Sequence, residues 1–372
     1  MSGDVVIVAA EAVRVRVPFR RPIRTSAGEW THRESWILRL WDTDGAVGLG
    51  EAALDFGSEA ATIEAELARL VRDLVGHLQA VGRLQGGGEW APAGVAGRAL
   101  RGALVSACHD FDHEFRNRVH AGSVAMNATI GYLELPQLEA AARDAVAASF
   151  GTIKMKVGPE RHTAELVERV AAVRAAAGPN VRLRLDANGA WDVTTARERI
   201  AAVAPYRIEY VEQPVAAGDP HSLAEVRQGS PVPIAADESV ASVSAARELL
   251  TARAADVLVV KPARVGGPAA AWEIADMAAA EGVPVVISTL FETGVGLAAA
   301  LAVAAGLPVV AGATHGHAHG LATADLLESD LLARPLSVVD GRMIVPDGPG
   351  LGISLDEAAR ERYAVEWLGR RP

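Results

Sequence analysis

The chain has 372 residues, of which 50% are apolar and 22% are charged, a composition typical of a globular protein with a large core. Its formal net charge of −10 excludes a surface built to bind nucleic acid or an anionic membrane. A single cysteine, no signal-peptide pattern and no long unbroken apolar run favour a cytoplasmic protein without disulfides or membrane spans.

The first part of the chain, residues 1–124, is expected to form a small α+β domain. Alternating apolar and polar residues predict strands, and helical periodicity follows them. The predicted strands are 5–17, 35–41 and 47–51, and the predicted helices are 59–81 and 95–116. Strands followed by helices are typical of an α+β unit, here a cap on the rest of the chain.

Residues 125–335 change to short β-rich runs that alternate with helical stretches. The strand candidates begin 23 to 29 residues apart, at 126–130, 152–157, 181–186, 208–211, 234–236, 257–260, 285–287 and 309–311. This spacing predicts an α/β fold, a modified (β/α)8 TIM-type barrel. A doubly wound sheet is the alternative, but no G-x-G-x-x-G follows the first strand. Residues 336–372, with a helix at 355–367, are expected to return to the N-terminal domain.

Lysine is rare in this chain, and its positions are informative. Of the 36 Lys and Arg residues only three are lysines: Lys154, Lys156 and Lys261. Arginine keeps its charge at any ordinary pH, whereas a lysine can lose its proton when its surroundings lower its pKa. Where arginine serves for every other cation, the lysines are candidates for proton transfer or Schiff-base chemistry.

Three carboxylates end consecutive predicted strands: Asp186, Glu212 and Asp237, one β/α unit of about 25 residues apart. A single Asp at such a position is often only a helix N-cap. Three that meet at one mouth of a barrel would repel each other unless a cation lay between them. A hard divalent cation with oxygen ligands meets this need, so we expect Mg²⁺, with Mn²⁺ as a possible substitute.

The lysines end the strands on both sides of these carboxylates. Lys154 and Lys156 point the same way from one strand, and Lys261 ends a strand across the barrel. A nearby cation would lower the pKa of a lysine and make it a usable base. These parts suit removal of a proton next to a carboxylate, with the metal stabilising the enediolate that forms.

Two other classes of function remain open at this point. A metal-free Schiff-base aldolase would also use a barrel lysine, but it needs only one and leaves the three acidic strand ends unexplained. A non-catalytic binding or scaffold barrel is the second alternative. The complete set of lysines and carboxylates weighs against it.

The motifs that carry these residues resemble the muconate-lactonizing branch of the enolase superfamily. They are Lys154-Met155-Lys156, Asp186-Ala187-Asn188, Glu212-Gln213-Pro214, Asp237-Glu238-Ser239 and Lys261-Pro262. The resemblance implies a capping domain over a modified barrel. It also implies that Asp186, Glu212 and Asp237 bind Mg²⁺, and that Lys156 and Lys261 are the acid/base pair.

Within this branch the chain is most similar to the o-succinylbenzoate synthases of menaquinone biosynthesis. The similarity rests on Gly48-Leu49-Gly50-Glu51-Ala52, Asn127-Ala128-Thr129 and the segment from Leu290 to Leu297. It implies loss of water from a cyclohexadiene carboxylate with a succinyl side chain. N-acylamino-acid racemases and muconate cycloisomerases share nearly all of these motifs and remain alternatives, and whether Lys261 transfers protons or acts only as a cation stays open.

Further residues are expected to support the site or to contact the small carboxylate substrate. They are Asn188, Glu238, Ser288, Glu292, Thr25 and Phe56. The run from His315 to His319 is expected to be a solvated loop after the eighth strand, and contact with a substrate carboxylate or a second metal is the alternative. Family resemblance also favours a homo-oligomer.

Overall fold

The structure of the protein is a computed structural model that describes residues 6–25, 28–55, 60–81, 84–85, 94–109, 113–310 and 316–369. The strands are β1 (Val6–Thr25), β2 (Gly28–Asp42), β3 (Val47–Ala53), β4 (Leu84–Gln85), β5 (Ser123–Ala125), β6 (Ala128–Ile130), β7 (Thr152–Lys156), β8 (Arg182–Asp186), β9 (Ile208–Glu212), β10 (Ile234–Ala236), β11 (Val257–Val260), β12 (Val285–Ile287), β13 (Val338–Val339), β14 (Arg342–Ile344) and β15 (Ala364–Gly369). The helices are α1 (Ala60–Val81), α2 (Val95–His109), α3 (His113–Arg118), α4 (Leu135–Ala147), α5 (Thr163–Ala177), α6 (Val193–Val203), α7 (Pro220–Arg227), α8 (Val243–Thr251), α9 (Pro262–Val265), α10 (Pro268–Ala280), α11 (Gly294–Ala305) and α12 (Glu357–Tyr363).

An antiparallel sheet, called here the N-terminal sheet, has the strand order β15-β1-β2-β3, with β4 paired to the start of β1. Successive residues of a strand point to opposite sides, and both faces of this sheet carry buried side chains. Trp36, Leu38 and Leu40 pack in a core with α1 and α2. Ile37, on the other face of β2, belongs to the large core that includes the barrel.

The C-terminal end of the chain differs from the predicted helix at 355–367. Helix α12 ends at Tyr363, and residues 364–369 form β15, antiparallel to β1. The β-branched and aromatic side chains of Val365 and Trp367, on either side of Glu366, suit a strand. Pairing with an edge of the N-terminal sheet decides between helix and strand here. The predicted domain boundaries at 124/125 and 335/336 stay predictions.

The second sheet is parallel and curls into a barrel, which confirms the predicted fold class. Its order is β12-β11-β10-β9-β8-β7-β6, with helices between successive strands. The predicted strands from 152–157 to 285–287 agree with β7 to β12 within one residue at either end. The first barrel strand, predicted at 126–130, is β6 at 128–130, and Met126 forms only an isolated bridge to His319. Residues 123–125 form β5 in a separate three-stranded sheet with β13 and β14.

The predicted eighth strand at 309–311 is wrong. Residues 307–310 form no strand and Val309 is 91% exposed, while Ala311 lies outside the described residues. The barrel closes about ten residues later, through isolated parallel bridges from His319 to Met126 and from Gly320 to Ser288. This closing segment was missed because histidine and glycine give no strand signal, whereas the apolar run at 309–311 does.

Close backbone contacts join the N-terminal sheet, helix α2 and the barrel. A Cβ added at Gly50 on β3 would overlap the carbonyl oxygen of Ala103 in α2. One added at Gly267, just before α10, would lie 2.8 Å from the Cα of Gly102 in α2. Within the described ranges, no helix is long and apolar enough to cross a membrane.

The Gly50 contact makes a stability prediction. Gly50→Ala should lower the free energy of unfolding by about 1–3 kcal/mol, because β3 or α2 must move to accept the methyl group. Gly76→Ala is the control, since it lies on an exposed position of α1 with nothing within 4 Å of the added Cβ. That change should raise stability by about 0.5–1 kcal/mol. Urea denaturation measures both, and a Gly50→Ala protein as stable as wild type would contradict the packing argument.

Candidate active site

The candidate residues lie together at the carboxyl end of the parallel strands. Lys156, Asp186 and Glu212 are the last residues of β7, β8 and β9, and the sheet register places them side by side. Asp237 and Lys261 directly follow β10 and β11. Five adjacent strands therefore present the three carboxylates between the two outer lysines, at the barrel end where enzymes of this architecture place their chemistry.

Lys154 is buried beneath this row. Its Nζ donates to Glu212 Oε1 at 2.8 Å and lies 2.9 Å from Asp186 Oδ2. Burial disfavours the charged ammonium, but the charges of Asp186, Glu212 and Asp237 outweigh it and raise the pKa of Lys154 well above its ordinary value. Lys154 is thus a fixed positive charge between two carboxylates.

Lys156 is more accessible, with 34% of its side chain exposed. Its Nζ donates to Asp186 Oδ2 at 2.7 Å and to Asn188 Oδ1 at 2.8 Å. Asn188 in turn donates from Nδ2 to Glu238 Oε1 at 2.9 Å, and its backbone adopts a left-handed φ of +45°. A chain of hydrogen bonds, from Glu238 through Asn188 to Lys156, therefore fixes the direction of the Lys156 ammonium.

Lys261 has the same kind of partner on the other side. Its Nζ donates to Asp237 Oδ2 at 2.7 Å. The second carboxylate oxygen of Asp237 accepts from Arg264 Nη1 at 2.8 Å, and Arg264 also pairs with Asp55, which follows β3 of the N-terminal sheet. Sequence analysis missed Arg264. Its position one helical turn after Lys261 was the available signal, because α9 begins at Pro262.

The three carboxylates are almost completely buried, and their ionisation depends on their neighbours. Although burial opposes it, Lys154 and Lys156 hold the pKa of Asp186 well below its usual range. Burial, reinforced by the charge of Asp186, raises the pKa of Glu212 to about 8. The positive charge of the nearby lysines is therefore not enough to offset the effect of burial on the Glu212 carboxylate.

The donor set suits a hard divalent cation. Asp186, Glu212 and Asp237 offer only oxygen atoms, the ligands that Mg²⁺ prefers, and the raised pKa of Glu212 marks a shortage of positive charge that such an ion would relieve. In the part of the chain that the structure describes, no three His, Cys, Asp or Glu side chains are already arranged around a common metal position. The carboxylates face the lysines instead.

Two of the candidate substrate residues lie on the loop between β12 and α11. Ser288 N donates to Val260 O at 2.9 Å, which places Ser288 beside Lys261. Glu292 lies deeper, 2% exposed, and burial together with the charge of Glu51 raises its pKa to about 7. Thr25 is the last residue of β1, but its side chain, like all of Phe56, lies outside the described residues.

The expectation that the histidine run is a solvated loop is wrong for Ala318 and His319, which are buried, whereas Gly316 is exposed and His317 is half-buried. His319 is buried in the closing segment, where its Nδ1 accepts from Ile287 N at 2.9 Å. Burial, with the nearby charge of Arg184, lowers the pKa of His319 to about 3 and keeps the ring neutral. His317 Nδ1 lies 3.3 Å from Glu209 Oε1, and His315 is outside the described residues.

Comparison with known proteins agrees with this geometry. The family model for the enolase C-terminal domain-like proteins matches residues 137–359. An o-succinylbenzoate synthase of Thermobifida fusca (strain YX) is 41% identical over 300 residues, which cover 77% of this chain and 90% of that protein.

Solved structures share the fold along nearly the whole chain. Muconate lactonizing enzyme from Pseudomonas fluorescens, complexed with muconolactone, superposes with a TM-score of 0.85 at 24% identity, covering 96% of this chain and 99% of that one. The L-Ala-D/L-Glu epimerase from Bacillus subtilis gives a TM-score of 0.81 at 26% identity, covering 93% and 98%. With lysines and carboxylates at the ends of consecutive barrel strands and a family model matching more than half of its length, this chain belongs to the enolase superfamily.

Proposed function

We propose that the protein removes a proton alpha to a carboxylate in a Mg²⁺-dependent reaction and dehydrates a succinyl-bearing cyclohexadiene carboxylate to o-succinylbenzoate, a step of menaquinone biosynthesis. The observation that carries the proposal is the placement of Lys156 and Lys261 on the two sides of three buried carboxylates. The 41% identity to a protein named o-succinylbenzoate synthase supports the choice of reaction.

Asp186, Glu212 and Asp237 would hold the Mg²⁺, for which Mn²⁺ is a possible substitute. When bound, the cation supplies positive charge to the substrate carboxylate and so makes the neighbouring C–H more acidic. Lys154 would contribute a second, permanent positive charge from below, since its neighbours keep it protonated. Its role is thus electrostatic, and the proton transfers fall to the other two lysines.

Lys156 would act as the base and then as the acid. Its neutral amine takes the alpha proton, the electron pair of the C–H bond moves into the carboxylate to give an enediolate, and Lys156 becomes an ammonium. Collapse of the enediolate then breaks the C–O bond of the departing hydroxyl group. The hydroxide takes the proton from Lys156, so one water leaves and the lysine is neutral again. Asn188 and Asp186 keep Nζ on one path for both transfers.

Lys261 would remain charged and stabilise the enediolate from the opposite side. Its contact with Asp237, which Arg264 also holds, fixes the ammonium in place. The same arrangement favours one alternative, racemisation of N-acylamino acids, because each of two lysines lies on its own side of the site. Muconate cycloisomerisation is the further alternative within the family. We also propose a cytoplasmic homo-oligomer.

The first test is turnover of the cyclohexadiene substrate with Mg²⁺ and then with EDTA, followed by the loss of substrate absorbance. We expect a kcat/KM of at least about 10⁴ M⁻¹s⁻¹ that disappears with EDTA and returns with added Mg²⁺. Turnover that persists in EDTA would contradict the metal role. Absence of turnover with Mg²⁺ would contradict the dehydration, and deuterium exchange into N-acylamino acids would then test the racemase.

Lys156→Ala should abolish turnover of any substrate, because both proton transfers use the same amine. General acid–base catalysis is worth about 10²–10⁴-fold per group, so we expect a loss at the upper end of this range. Mg²⁺ binding, measured by calorimetric titration, should survive because the three carboxylates are intact. A variant that retains a tenth of wild-type turnover would remove Lys156 from the mechanism.

Lys261→Arg separates a cation from a base, because arginine keeps the charge but does not exchange protons at working pH. Part of the dehydration activity should remain, whereas racemisation of an N-acylamino acid should be lost. The two activities are measured on the same preparation with each substrate. Equal damage to both would show that Lys261 is not merely a cation in the dehydration.

A further inference from the structure

Helix α11 has no polar side chain with which to cap itself. Its twelve residues, GVGLAAALAVAA, are all apolar or glycine and nearly all are buried. The preceding residue, Thr293, makes no side-chain cap within the helix. The free N–H groups of a first helical turn need acceptors when water cannot reach them, so the partner must come from elsewhere in the fold.

Two such partners are present. The carbonyl oxygen of Asp330 accepts from Gly294 N at 2.7 Å, and the carboxylate of Glu51 on β3, 242 residues from Thr293 in sequence, accepts from Thr293 and Gly296. Oε1 of Glu51 accepts from Thr293 N at 3.0 Å, and Oε2 accepts from Gly296 N at 2.9 Å and from Thr293 Oγ1 at 2.7 Å. Ser35 Oγ on β2 donates to Oε1 at 2.7 Å and fixes the carboxylate from behind. A buried carboxylate at a helix N-terminus also meets the positive end of the helix dipole.

Close packing around Gly296 excludes a side chain at this position. A Cβ at Gly296 would lie 2.6 Å from the Cβ of Glu292 and 3.2 Å from Oε2 of Glu51. Glu51 itself is 5% exposed, so water does not compete for its oxygens. Three hydrogen bonds that meet at the Glu51 side chain thus join the N-terminal sheet to the start of helix α11.

The loop that precedes α11 borders the candidate active site. Its first residue, Ser288, lies next to Lys261 because Ser288 N donates to Val260 O. Further along, Phe291 has a left-handed φ of +62° and packs edge-on against Phe19 of β1, with ring centroids 6.1 Å apart. The loop is therefore held at the site by Ser288, in the middle by the N-terminal sheet, and at its end by Glu51.

We propose that Glu51 is a positioning residue for the reaction: from the N-terminal sheet it fixes loop 288–293, and so places the part of that loop that contacts the substrate. Glu51 does not touch the reacting atoms. Its effect passes through Thr293 and Gly296 to the loop, which makes substrate binding depend on how the N-terminal sheet docks on the barrel. The inference that the loop contacts substrate rests on the proposed function, whereas the fixing of the loop does not.

The experiment compares Glu51→Gln with Glu11→Gln. The first variant turns an NH₂ group toward backbone N–H donors and leaves at least one of them without an acceptor. The second removes a buried carboxylate of the same sheet that pairs with Arg39 and Arg360, neither of which lies in the barrel, so it reports general loss of stability. Kinetics are measured well below the unfolding temperature, together with hydrogen–deuterium exchange of the whole protein without substrate.

For Glu51→Gln we expect faster exchange over residues 288–296 and a KM raised about tenfold, the scale of one lost hydrogen bond to a charged group, with kcat changed less. Glu11→Gln should change neither. Wild-type exchange and KM in Glu51→Gln would overturn the proposal, and so would equal changes in both variants. If Glu51→Gln does not fold, Thr293→Val removes one of the three bonds and should shift both measurements in the same direction by less. The exchange experiment needs no turnover, so failure of the proposed function remains distinguishable from failure of this inference.

Discussion

Compensation of buried charge at one end of the barrel is the interaction on which the rest of this structure depends. Asp186, Glu212 and Asp237 are each no more than 1% exposed, and isolated carboxylates so deeply buried would be very costly. All three lysines of the chain donate to these carboxylates. Removing one partner of such an ion pair would be destabilising, because it would leave the other charge buried and unpaired.

The register of the parallel sheet brings these charged side chains together. Neighbouring strands bring Lys156, Asp186 and Glu212 into one row, and each strand adds one functional side chain at its end. The N-terminal sheet contacts this end of the barrel through polar contacts as well as apolar packing. Arg264 joins Asp237 to Asp55, and Glu51 joins β3 to the loop after β12. Charged side chains thus link the N-terminal sheet to the candidate active site.

Much of the site could be predicted from the sequence because each functional residue ends a short apolar run whose type and spacing are local properties. Strand ends such as Asp186 and Glu212 therefore appeared at the right place without knowledge of the fold. The closing segment at His319 and Gly320 could not be found in this way, since it forms only isolated bridges and its composition is not that of a strand. Glu51 was missed as a member of the site for a different reason: its partner Thr293 lies 242 residues away in sequence.

The pairing of β15 with β1 has a consequence for how the chain is made. Residues 11–15 of β1 pair on one side with β2, which follows at once, and on the other side with residues 364–369. All the barrel strands lie between these two partners in sequence, so every one of them leaves the ribosome before the N-terminal sheet can be completed. Contacts of such long range form slowly, because a large loop must close first. Residues 11–15 are synthesised before every barrel strand and residues 364–369 after all of them. A nascent chain in which residues 364–369 have not yet been made therefore carries an open strand edge along residues 11–15 even when its barrel is whole.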